Sequence, residues 1–289
     1  MPSLSLGMSH PSLAPWAGEL QAMLAAHGVE VGLSGDARGD LVLEEVTPAV
    51  ADTGADVLAV PRRGDPRDAV LVSEEHATEH AAAVLADPSL MNPADPLRAV
   101  ASGATVGAVG AFRCAQIAAV RPDLDVVEAS GTCADLVEAW LAGSHPVVVV
   151  GAAALDRTES AGREARRLDA PWFAEAGAGA LWVRGAWTPE LREALLPLDD
   201  RTSRLEIVAE LAVQQAVDPP AGVLLGVSAR VSQSRLELAG LVLDPAGGYS
   251  IAAKRTGEAT MRGTHRAAAM LARDLEEKGI GGLGAGRTS

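Results

Sequence analysis

Apolar residues recur along the first third of the chain in two different rhythms. Leu13, Trp16, Leu20, Met23 and Leu24 follow steps of three and four residues behind a cap at Ser12, and His27-Gly28 ends the run, which predicts one amphipathic helix. Asp56 to Val60, Ala104 to Val109 and Pro146 to Gly151 are short apolar runs bounded by Gly and Pro, and the unbroken Val147 to Val150 predicts a central strand covered on both faces. Pro61 to Pro66 (PRRGDP) and Pro93 to Pro96 (PADP) are turn-rich; between them Val70 to Leu90 carries a helical pattern, which places a domain crossover there. The alternation of the two rhythms predicts βαβ units around a largely parallel sheet. After Asp200 the order changes. A helix over Arg204 to Val217, strands at Val223 to Val231, Leu236 to Leu243 and Tyr249 to Lys254, and a last helix from about Glu258 to Lys278, stopped by Gly279, predict a separate α+β module.

Composition narrows the function classes. Of 289 residues, 48% are apolar and 21% charged, a soluble composition long enough for two or three small cores. The 24 Lys and Arg stand against 38 Asp and Glu, a net charge of −14 that repels phosphate backbones and anionic head groups, so nucleic acid and membrane surfaces are poor partners. A small-molecule ligand and a monomeric chain are expected instead. No run of about 18 apolar residues exists and no basic stretch leads an apolar N-terminal segment, so the expected location is the cytoplasm. Cys114 and Cys133 are the only cysteines, too few for a disulfide framework or a structural zinc site. No metal is implied. Aromatic residues make up 3%, so the cores are built from small and branched aliphatic side chains.

Several segments, in order, resemble one family. Gly7 to Trp16 (GMSHPSLAPW) resembles an opening GTR-x-SPLALW; Val60 to Ala69 (VPRRGDPRDA) resembles VP-x-REDPRDA; Gly107 to Pro122 (GAVGAFRCAQIAAVRP), continuing as Arg121 to Leu124 (RPDL), resembles GTSSLRR-x-AQL and its RPDL. Gly131 to Gly143 follows an LRGN-x-DTRL helix, Phe173 to Leu181 (FAEAGAGAL) follows LPAPGQGAL, and Ala209 (AELAVQQAV) through Gly240 to Pro245 (GLVLDP) follows a small terminal domain. These are the motifs of hydroxymethylbilane synthases, or porphobilinogen deaminases, which chain pyrrole units onto a covalently held dipyrromethane. The resemblance implies an α/β fold class: two periplasmic-binding-protein-like domains with a cleft between them, plus a small C-terminal α+β domain. The expected bounds are residues 1–78 plus 176–201 for a shortened first domain, 79–175 for the second and 202–289 for the third.

The resemblance also exposes departures. The family's cofactor-holding cysteine falls on Ala221, and a methyl group cannot form the thioether, so no cofactor is expected. Arginines that would pair substrate carboxylates fall on Ser9, Phe112, Ser130, Leu136 and Glu138, with Arg113 alone retained. A buried carboxylate without a partner costs several kcal/mol, so the ligand should carry fewer acidic groups than a polypyrrole. The family's aspartate motif has no counterpart; within Asp40 to Pro48 (DLVLEEVTP), Glu44 or Glu45 could take the acid's place, or both could be solvated loop residues. Cys114 and Cys133 lie near expected helix starts, where a thiol pKa falls, and are candidate nucleophiles; the alternative is that each is a small buried hydrophobe. The candidate catalytic set is thus Cys114, Cys133 and Glu45. The candidate ligand-binding set is Ser9, His10, Phe112, Arg113, Ser130, Thr132, Asp135 and Glu175, with Phe112, Trp172 and Phe173 making the pocket more apolar. Arg62, Arg63, Asp65 and Asp68 match the family's hinge and read as structural. Two functions remain open: a diverged enzyme acting on another small molecule, or a non-catalytic ligand-binding or regulatory protein. A third, weaker reading retains the family's own activity.

Overall fold

The computed structural model describes residues 4–35, 39–48, 56–73, 97, 100–157, 165–169, 172–244 and 249–283. The helical pattern expected over Glu74 to Leu90 and the turn at Pro93 to Pro96 lie outside them.

The first domain is a five-stranded mixed sheet. Strands β1 (Leu4–Met8), β2 (Val31–Leu33) and β3 (Leu41–Glu45) run parallel, and β10 (Leu181–Gly185) returns antiparallel between β3 and β4 (Asp56–Ala59), giving the order β2-β1-β3-β10-β4. Helices α1 (Ala14–Ala26) and α5 (Pro189–Leu195) cover it, and Leu6, Leu13, Leu20, Leu24, Leu41, Val183 and Leu195 close the core. The expected cap at Ser12 is displaced: Pro11–Leu13 form a 3-10 turn whose first free N–H, that of Ser12, donates to His10 Nδ1, and α1 starts only after it.

The second domain is also a five-stranded sheet, ordered β7 (Asp125–Glu128), β6 (Thr105–Ala108), β8 (Val147–Gly151), β5 (Asp68–Val72), β9 (Arg166–Arg167). Val147 and Val149 pack on one face with Ile117 of α2 (Ala111–Val120), while Val148 and Val150 pack on the other with Leu136 and Val137 of α3 (Cys133–Leu141). Both faces are apolar because both are covered, which is why the run has no alternation. The stretch from Val70 is corrected by β5: Val70 to Val72 pair antiparallel with β8 as strand rather than opening a helix. A short apolar run has the same periodicity in either element, and here the neighbouring strand decides. The second sheet consequently begins at Asp68, ahead of the boundary expected at 79. The short α4 (Ala152–Asp156) follows β8 directly.

The third module starts where Asp200 caps α6 (Arg201–Ala216) by accepting from the Ser203 N–H at 2.7 Å. A meander of β11 (Leu224–Ser232), β12 (Arg235–Asp244) and β13 (Tyr249–Glu258) packs against α6 and α7 (Met261–Glu277) through Val213, Leu225, Leu236, Val242 and Leu271. One carboxylate ties this module to both chain crossovers. Glu210 accepts from Arg63 Nη1 and Nη2 at 2.8 and 2.9 Å, from the Gly177 N–H at 2.8 Å and from the Ala229 N–H at 2.9 Å. Burial alone would lower the Arg63 pKa; the facing Glu210 carboxylate reverses this and raises it.

Candidate functional site in the interdomain cleft

The two sheets face each other across a cleft of about 290 Å³. The first domain contributes the loop after β1, with His10, and the end of β3, with Glu45. The second contributes the turns that start α2 and α3, with Gly110, Arg113, Thr132 and Cys133, and the α4 region with Arg157. The crossovers supply Asp65, Arg67 and Glu175. Most of these groups lie at or just beyond the C-terminal ends of strands, the edge at which α/β sheets bind ligands.

Each arginine lining the cleft is already held by a carboxylate of the chain. Arg113 is 8% exposed and donates through Nη2 to Asp68 Oδ1 at 2.8 Å and through Nη1 to the Val109 carbonyl. Its burial disfavours the charge, and the Asp68 carboxylate outweighs that and raises its pKa. Asp68, 1% exposed, accepts on its other oxygen from Trp172 Nε1 at 3.0 Å. Arg67 is bound to Asp65, with Nη2 to Oδ2 at 2.7 Å, and to Asp169. Arg157 pairs with Glu45, which joins the first domain to the second directly.

Glu175 differs from the other carboxylates lining the cleft. Among the described residues its carboxylate has no hydrogen bond and no ion pair. It stands at the start of α2: Gly110, at φ +97°, allows the approach, and a Cβ there would lie 3.2 Å from Glu175 Oε2. Burial raises the Glu175 pKa, Arg113 opposes this, and Asp68 and Glu128 reinforce it.

The sequence-predicted residues therefore separate into two groups. His10, Glu45, Arg113, Thr132, Cys133 and Glu175 line the cleft. Ser9, Phe112, Cys114, Ser130 and Asp135 do not. Ser9 and Ser130 are exposed and stand next to the lining residues His10 and Gly131 without lining the cleft themselves. Phe112 is 2% exposed and abuts Gly226 of β11, so it joins the second domain to the third module rather than making the pocket apolar. Trp172, which donates to Asp68, and Phe173, whose backbone N–H donates to Gln116, are likewise absent from the cleft lining. Cys114 packs among Val106 and Ile117, and burial pushes its thiol pKa up rather than down. The Glu128 and, more weakly, Glu175 carboxylates push it the same way, against Arg113. Asp135 forms a capping box with Thr132, the Thr132 N–H donating to its Oδ2 at 2.7 Å; this bond holds the Asp135 pKa below the usual carboxylate range. Cys133 opens α3, half-buried at the cleft wall. Glu44 is turned away from the cleft, accepting from Trp182 Nε1 at 3.0 Å and pairing with Arg184.

Arg157 and Arg67 are charged lining residues that sequence reasoning misses. Arg157 has one legible signal, as the first cation after the valine strand β8, whose C-terminal end faces the cleft. Ala221 lies on the exposed turn before β11, outside the cleft lining, and the sequence has no cysteine after Cys133. Among the described residues no cluster of three His, Cys, Asp or Glu could hold a metal ion, and no helix is long and apolar enough to cross a membrane.

Residues 43–192 match the family model described as porphobilinogen deaminase, dipyromethane cofactor binding domain. A porphobilinogen deaminase of Xanthomonas oryzae pv. oryzae is 30% identical over 284 residues, covering 90% of this chain and 91% of that protein. One of Xanthomonas campestris pv. campestris is 31% identical over 228 residues, 78% of this chain and 68% of its own. The matches to the relatives from Roseiflexus and Syntrophobacter fumaroxidans, 29% and 26% identical, cover 68% and 73% of this chain but only 59% and 62% of those proteins. Among solved structures, an ancestral cationic amino acid solute binding protein is similar at a TM-score of 0.42 and 14% identity, covering 68% of this chain and 87% of its own. A substrate-binding protein of a Streptococcus pneumoniae amino acid ABC transporter is similar at 0.37 and 16%, covering 66% and 85%.

Proposed function

Because the chain belongs to the porphobilinogen deaminase family, we propose that it uses that family's two-domain cleft for a different small molecule, without the covalently held dipyrromethane. The observation that carries this reading is the pairing of Arg67, Arg113 and Arg157 with carboxylates of the chain itself. A growing polypyrrole would bring several carboxylates into the cleft, each needing a cation, and among the described residues no guanidinium lining the cleft is left to meet them. The dipyrromethane does not fit these residues either: no thiol stands in the third module, and Ala221 lies off the cleft. Glu175 and Cys133 are two of the groups at the cleft with chemistry left over, one as a proton donor or acceptor and the other as a nucleophile, beside His10.

Two measurements test the reading together. Intact mass of the freshly purified protein should equal the mass of the sequence, and the protein should form no hydroxymethylbilane from porphobilinogen above the uncatalysed background. Ala221→Cys should restore neither property, because the arginines stay engaged. A mass excess equal to a dipyrromethane, or turnover by the unmodified protein, overturns the proposal.

A further inference from the structure

The charge arrangement of the cleft names a ligand class. We infer that the cleft is built for a small organic cation, an apolar body carrying one ammonium or similar N–H donor group, with Glu175 as the carboxylate that receives it. The inference rests on the reading of the cleft as a site for something other than a polypyrrole, and it goes beyond that reading by fixing the sign of the ligand.

Three observations converge. The cleft's arginines are each ion-paired within the chain, and the Nε atoms of Arg113 and Arg157, which lack a hydrogen-bond partner, are buried out of reach of a ligand. An anionic ligand must therefore first displace Asp65, Asp68 or Glu45 from its partner, and Asp68 is 1% exposed and held by two donors. The Glu175 carboxylate also stands close to the start of α2, where a Cβ on Gly110 would lie 3.2 Å from its Oε2, so an anion approaching that helix end meets a like charge. Glu175 is thus the one carboxylate lining the cleft, among the described residues, that still lacks an ion pair or hydrogen bond. The surroundings favour the same sign. Behind the lining stand Asp68 and Asp169 with Arg167, so among the described residues five carboxylates at the site face four guanidiniums. Residues 1–200, which form the two domains, hold 29 acidic against 13 basic residues, while residues 201–289 hold 9 against 11. Field lines from such a body focus in its cleft and raise the local concentration of cations. Val46, Pro48, Val109, Ala134, Ala153 and Ala176 give the lining a small apolar stretch that suits a hydrocarbon body, beside the neutral polar side chains of Ser12, Thr47 and Thr132.

The test compares three probes of one shape. Benzylamine, benzyl alcohol and benzoate are titrated into the full chain by calorimetry at neutral pH. Benzylamine should bind more tightly than benzyl alcohol by about tenfold or more, the scale of a hydrogen bond to a charged group, and benzoate should bind least. Glu175→Gln should remove the benzylamine preference, and Glu175→Asp should restore part of it. The selectivity among probes is read on the unmodified protein, so it needs no variant to fold. Benzoate binding as tightly as benzylamine, no preference for benzylamine over benzyl alcohol, no benzylamine binding at millimolar concentration, or unchanged affinity in Glu175→Gln overturns the inference. Failure of the underlying reading is recorded separately, as a mass excess before any probe is added.

Discussion

Asp68 shows how one side chain can decide what a neighbour is for. Arg113 reads from sequence as a lone survivor of an anion-binding set, and the family resemblance points it toward ligand. Its partner lies 45 residues away, and no local pattern reports that separation. Removing the partner leaves a buried guanidinium uncompensated, so Asp68→Ala should cost about 3–5 kcal/mol, read as a lowered urea midpoint at unchanged slope. Glu175 should behave in the opposite way. Its pKa is raised in the folded state, by burial and by Asp68 and Glu128 against the pull of Arg113. It therefore contributes stability that is complete below the ordinary carboxylate pKa and is lost as pH rises through the folded value. Glu175→Gln should accordingly be more stable than the parent at pH 7, with the difference vanishing in acid; thermal melts across pH check this, and equal stability at both ends would place Glu175 in free solvent. A group that weakens the fold while standing unpaired in a cleft is one whose presence the fold itself does not explain.

At the scale of elements, α2 carries different duties on different sides. Arg113 faces the cleft, Cys114 the core of the second domain, and Phe112 the third module. The aligned family motif makes all three look like site residues, because adjacency in sequence is mistaken for adjacency in space; on a helix, successive residues point about 100° apart. Phe112 owes its position to Gly226, where a Cβ would come within 2.2 Å of Cζ of the ring. Gly226→Ala should therefore be destabilising, and should cost much less in a Phe112→Ala background. A double-mutant cycle by chemical denaturation should return a coupling of about 1 kcal/mol or more, whereas additive effects would show that the two do not press on each other. The valine strand β8 is legible in the sequence because its entire environment is apolar. The capping signature of Thr132 and Asp135 is present there too, but reads as a ligand contact until the helix it starts is seen. The 3-10 turn that delays α1 and the strand identity of Val70 to Val72 are not legible, since both depend on what a neighbouring segment offers.

For the whole molecule, the order of the three modules can be read from the rhythm of apolar positions, while the ties between them cannot. Glu210 joins residues 63, 177 and 229, and Glu45 reaches Arg157 across 112 positions. Glu210→Ala should leave Arg63 with only the more distant Glu206 carboxylate, 3.8 Å away, and cost about 3–5 kcal/mol; because it touches both crossovers and β11, the loss should lower the melting of all three modules together, seen as one calorimetric transition at lower temperature rather than a split one. The path of the chain through the first sheet has another consequence, for synthesis. Among the described residues strand β4 pairs only with β10, and β10 is also what lies between it and β3, so the first sheet is incomplete until residue 185 has left the ribosome. The second sheet closes with Arg167 and needs nothing later in the chain to pair its strands. The first domain is therefore finished after the one inserted into it, and during translation its β3 and β4 edges wait unpaired, open to other chains.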